Sequence, residues 1–83
     1  MITVYTQPGC RPCKRVLAKL LEAGLPHKVV DVSVDLQARR YLNLVGAKSV
    51  PVVVAEGYNP IVGYEPILLK YLIETYPREE INV

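Results

Sequence analysis

Three segments at the start of the chain commit it to a strand, a helix and a second strand, in that order. Residues 1–6 alternate apolar and β-branched side chains, the period-two pattern of a strand. From Arg11 the apolar residues Val16, Leu17, Leu20 and Leu21 recur on one helix face, and Gly24 followed by Pro26 supplies the stop. Pro12 suits the first turn, where a missing N–H costs nothing. Residues 28–32 form a second β-branched run. A strand–helix–strand unit closes as a parallel pair with a right-handed crossover. A parallel pair is therefore predicted before any chemistry is considered.

The rest of the chain completes one small sheet. Asp35 is a suitable N-cap for a helix from 36 to about 45, with Ala38, Tyr41, Leu42 and Val45 on one side and Gly46 at its end. Residues 50–55 are a continuous apolar run, as for a strand covered on both faces. Residues 56–60 are turn chemistry around Gly57. Ile61 and Val62 read as a short fourth strand ending at Gly63. A helix opens at Pro66 and runs until Pro77 stops it. The order β-α-β-α-β-β-α predicts an α/β fold: a four-stranded mixed sheet with helices on both faces and a hairpin near Gly57. With 83 residues there is room for one domain, expected over 1–77, and a polar tail over 78–83. So small a domain buries only somewhat over ~60% of its unfolded surface. Val and Leu dominate the apolar half of the composition, and six Tyr supply all the aromatic surface.

The two cysteines of the chain stand together in Cys10-Arg11-Pro12-Cys13, between the first strand and the first helix. Thiols at that spacing close a disulfide or donate to a metal. Their place at the head of a helix after a strand points to a working redox pair. A purely structural bridge over so short a loop would contribute only roughly 2 kcal/mol. A zinc site wants a full tetrahedral shell, and His27 is the one other good donor, so a metal would need a dimer or carboxylates. No metal is expected. The net charge of +2 is too small and dispersed for nucleic acid, its one local concentration being Arg11, Lys14 and Arg15 around the cysteines. The N-terminus lacks a basic stretch before an apolar one, as a secretory signal would have, and no run approaches the roughly 20 apolar residues of a membrane span. A reducing cytoplasm and no membrane contact are the expectation.

The same residues carry a resemblance. Residues 1–6, Pro8, Cys10 and Cys13, then Val29-Val30-Asp31-Val32-Ser33 with Asp35, Ala38-Arg39, Tyr41, Gly46 and the run Val50-Pro51-Val52-Val53-Val54-Ala55 resemble the thioredoxin-like fold in its minimal glutaredoxin form. Within it the chain is most similar to NrdH-type redoxins, over roughly residues 1–66. Those proteins typically carry Trp-Ser-Gly-Phe-Arg-Pro before the last helix; here Ile61-Val62-Gly63-Tyr64-Glu65-Pro66 keeps Gly63 and Pro66, with Tyr64 a near match. The full third helix is a glutaredoxin trait.

The resemblance implies a carrier that reduces protein disulfides through Cys10 and Cys13. Its reductant would be thioredoxin reductase or glutathione, and its substrate ribonucleotide reductase or other protein disulfides. No cofactor beyond the dithiol and a monomeric state are expected. It also implies a cis Val50–Pro51 bond beside the dithiol, whereas only about 5–6% of X–Pro bonds are cis in general. That bond would turn the backbone of Val50 outward to pair with an extended substrate.

The chemistry asks for a thiolate. A free cysteine titrates near roughly 8.5, so little is ionised at neutral pH. At a helix N-terminus, with Arg11 and Lys14 near and Pro12 between the sulfurs, Cys10 is the expected nucleophile and Cys13 the resolving thiol. Gln7, Val50, Pro51, Gly63 and Tyr64 are the expected substrate-binding positions. Gly63 would allow close backbone approach or simply end the strand, and Tyr64 would line the groove or pack. Gln7 stands where glutathione-using glutaredoxins commonly have lysine. Arg39 and Arg40 offer carboxylate binding or a solvated face, and His27 reads as a surface residue. The third helix is more apolar than one buried face needs, which marks either burial against the first helix or a partner contact.

Overall fold

The computed structural model describes residues 1–78. Seven elements follow in the predicted order: β1 (Ile2–Thr6), α1 (Arg11–Glu22), β2 (His27–Asp31), α2 (Leu36–Leu44), β3 (Val52–Val54), β4 (Ile61–Val62) and α3 (Pro66–Thr75). The sheet order is β2-β1-β3-β4. β1 and β2 are parallel, with Val4 opposite Val29. β1 and β3 are antiparallel with Val4 opposite Val53, and β3 and β4 form the expected hairpin.

Alternation along the strands divides the core in two. Ile2, Val4, Val53 and Ile61 point to one face and meet Val16 and Leu20 of α1 and Leu69 and Leu72 of α3. Val52 on the other face meets Ala38 and Leu42 of α2, with Tyr5, Val30, Val50 and Val54 at the margin. The Tyr5 ring stacks on Tyr41 at 5.7 Å. Burial, and then the neighbouring Tyr41 and Asp35, push the Tyr5 phenol above its ordinary value.

Helix starts follow local chemistry. The Asp35 carboxylate accepts from the amide of Ala38 at 3.0 Å, capping α2 as predicted. Pro66 opens α3. Strand ends depart from the predictions by a residue or two. β2 stops at Asp31 because that carboxylate accepts from the hydroxyl and the amide of Ser33 (2.6 and 2.9 Å), which turns the chain away. The same two bonds, hydroxyl first, hold the Asp31 carboxyl below its usual range. β3 begins only after Pro51, which has no N–H for a ladder, and ends before Ala55, whose carbonyl accepts from the amide of Tyr58 in the turn (3.1 Å). The expected tail begins at Arg78, whose guanidinium donates to the carbonyl of Ala23 (3.1 Å); its remainder, 79–83, lies outside the described residues.

The apolar face of α1 also differs from expectation. Cys13, Val16 and Leu20 are buried, whereas Leu21 is 75% exposed. One residue turns about 100° on a helix, so Leu21 swings out of the stripe that Leu20 completes. Leu20→Ala should therefore lower stability by about 3 kcal/mol and Leu21→Ala by less than about 0.5, read from denaturant midpoints at unchanged slope. Comparable losses would place both in the core. In α3 the expected burial against α1 holds for Leu69 and Leu72, while Ile67, Leu68 and Tyr71 face outward.

Candidate active site

Cys10 is the N-cap of α1, with extended backbone angles (φ −88°, ψ 105°). Its Sγ takes the position that a serine or aspartate oxygen fills in most caps, and accepts from the amide of Cys13 at 3.2 Å. Pro12 sits in that first turn, so the cap competes with no amide there. Cys13 is one turn further, with a Cα–Cα separation of 5.3 Å, within the span that a disulfide needs, and the two are bonded. Their exposures differ in the expected sense. Cys10 is half-buried, while Cys13 is 1% exposed beneath it.

The Val50–Pro51 bond is cis, as the resemblance implied. The carbonyl oxygen of Val50 lies 3.9 Å from Cys10 Sγ. Neither the N–H nor the C=O of Val50 has a backbone partner among the described residues. Pro51 is buried, and its own carbonyl accepts from the amide of Gly63 at 2.7 Å. Three segments distant in sequence therefore meet here: the head of α1, the approach to β3 and the exit from β4. Gly63 holds φ at +83°, where a side chain is strained, and a Cβ there would meet nothing within 4 Å. Its need for glycine is conformational; no protein atom crowds it.

The other expected positions are less closely joined. Tyr64 packs half-buried at the edge of the α1–α3 core, with the guanidinium carbon of Arg15 5.9 Å from its ring centroid. Gln7 is exposed and only its carbonyl is engaged, by the Thr6 hydroxyl at 3.5 Å. Arg11, Pro12 and Lys14 are exposed around the sulfur. Arg39 and Arg40 are exposed on α2, on the other side of the sheet. His27 is half-buried, Nδ1 2.8 Å from the carbonyl oxygen of Leu25, and so less of a surface residue than expected. Lys19 and Lys70 line a groove between α1 and α3; the spacing of Arg11, Arg15 and Lys19, four apart on α1, is the sequence signal for the first of them.

A wider opening of about 790 Å³, between Met1, Leu25, Tyr76 and Arg78, contains neither cysteine and lies at the opposite end of β1. Chemistry, not size, identifies the site. No helix among the described residues is long and apolar enough to cross a membrane.

The Gene 56 protein of Mycobacterium phage L5 is 48% identical over 80 residues, covering 95% of this chain and 78% of that protein. Among solved structures, the thioredoxin-like protein BC3987 superposes with a TM-score of 0.79 at 36% identity, covering 87% of this chain and 99% of that one. NrdH-redoxin from Escherichia coli gives a TM-score of 0.80 over 94% of this chain and 97% of that one, at 24% identity, a likeness that speaks for the fold alone. The family model for glutaredoxin matches residues 2–58, from β1 through the turn after β3. This chain belongs to the glutaredoxin family, as a thiol–disulfide oxidoreductase with Cys10 and Cys13 as its redox pair.

Proposed function

We propose that the protein is an NrdH-type electron carrier, reduced by thioredoxin reductase and passing electrons to the disulfide of ribonucleotide reductase. The observation that supports this most is the unequal setting of the two sulfurs: Cys10 at the rim of the site, Cys13 sealed under it. In the proposed cycle the Cys10 thiolate attacks one sulfur of the substrate disulfide and the other leaves. The Cys13 amide, 3.2 Å from Sγ, favours the anion that this requires. Cys13 then attacks Cys10, and the substrate departs reduced. The exposed edge of Val50 would hold the substrate backbone while the sulfurs exchange, with Pro51, Gly63 and Tyr64 shaping the floor. The cycle needs no cofactor beyond the dithiol and works in a monomer in the cytoplasm.

A second reading, a glutathione-reduced glutaredoxin, has the complete third helix Pro66–Thr75 in its favour. Two coupled assays separate the readings. Oxidised protein is given NADPH with thioredoxin reductase, or NADPH with glutathione and glutathione reductase. Rapid NADPH consumption in the first supports the NrdH type. Turnover in the second alone replaces it with the glutaredoxin reading.

A further inference from the structure

Arg11, Arg15 and Lys19 form a row down one side of α1, starting beside the dithiol. All three are exposed, and among the described residues the one ion pair joins the N-terminus to Glu56. Lys19 lies in the last turn, where a cation suits the helix dipole, whereas Arg11 lies in the first turn, which holds no acidic residue. Helix stability would favour the opposite sign there. The dipole thus accounts for Lys19 but not for Arg11, whose charge serves the Cys10 thiolate.

A groove between α1 and α3 brings Lys19 together with a second cation. It holds about 270 Å³, with Tyr64, Pro66, Leu69 and Ile73 as an apolar lining and Lys19 and Lys70 as its cations. The Arg15 guanidinium covers Tyr64 from above. Tyr64 of the groove directly follows Gly63, whose amide donates to the carbonyl of Pro51, next to the Val50 carbonyl that faces Cys10. From Cys10 to Lys19 along α1 is about 13 Å. An extended chain crosses that distance in about four residues.

We propose that this groove receives a segment of the substrate protein in which acidic residues alternate with apolar ones, about four residues from the disulfide that Cys10 attacks. The proposal rests on the disulfide-reductant reading and adds its selectivity. The apolar side chains cover Tyr64, Leu69 and Ile73, and the carboxylates face Lys19, Lys70 and Arg15. The exchange is balanced within the pair. The Cys10 thiolate bonds to one substrate sulfur as the substrate S–S bond breaks; Cys13 then displaces that sulfur. The carrier is oxidised by two electrons, and the substrate sulfurs take up the Cys13 proton and one from water to leave a dithiol.

The test uses two synthetic peptides, each with an internal disulfide followed at that distance by Asp-Leu-Asp-Leu or by Lys-Leu-Lys-Leu. Oxidation of the reduced protein is timed by acid quench and alkylation. The acidic peptide should react about tenfold faster at low ionic strength, with the ratio falling as salt is added. Lys19→Glu with Lys70→Glu should erase or invert the ratio. Arg39→Glu with Arg40→Glu, on α2, should keep it. Taking the ratio within each variant cancels any change in the reactivity of Cys10 itself. Equal rates at low salt overturn the proposal, as does an equal loss of preference in the α2 variant, which would make net charge the cause. Failure to reduce either peptide overturns the disulfide-reductant reading beneath it.

Discussion

Cys10→Ser is expected to lose disulfide reduction by roughly three orders of magnitude or more, since no other group in the site can become the attacking sulfur. The loss should come without unfolding. A serine hydroxyl is a favoured N-cap and can accept the Cys13 amide that Sγ accepts now. The variant should therefore melt close to the reduced wild type, which also lacks the disulfide. Cys13→Ser should behave differently: the first attack proceeds, the second does not, and a mixed disulfide through Cys10 accumulates. Mass spectrometry after reaction with a peptide disulfide reads both outcomes. Cys13, at 1% exposure, has no path to so large a partner. An adduct on Cys13 in Cys10→Ser would reverse the two roles.

The second large effect is on the ionisation of Cys10 in the reduced protein. An amide that donates to the sulfur, the head of α1 and the charges of Arg11 and Lys14 all favour the anion over the thiol. Cys10 should titrate below an ordinary cysteine, and at neutral pH should be alkylated by iodoacetamide about tenfold faster than an unperturbed thiol. Arg11→Glu combined with Lys14→Glu should move the midpoint upward. A reactivity profile matching free cysteine would remove the thiolate from the mechanism.

Most elements were legible because their signals are local. Pro12 and Pro66 at helix starts, Asp35 as a cap and Gly57 in a turn act within a few residues. What escaped was set by contacts between distant residues. Nothing near residue 50 says that its apolar run pairs only from Val52 to Val54, or that β3 lies antiparallel beside β1. Leu21 resembles Leu20 in every local respect; only the direction of the core separates them. The site divides in the same way. Cys10 and Cys13 could be picked out from spacing and rarity, but the place of Val50 came through the resemblance. The α1–α3 groove brings Lys19 to Lys70 across the packed helices, a meeting that no short stretch of sequence announces.

The division of the core leaves the reaction centre straddling two foundations. α1, which presents the sulfurs, is seated through Val16 and Leu20 in one cluster; Val50 packs against the other, of Ala38, Leu42 and Val52. The gap from sulfur to carbonyl is thus a gauge of how the two halves are seated across the sheet. A flaw introduced under α2, remote from either cysteine, would surface as a misplaced grip on the substrate while the nucleophile itself stayed sound.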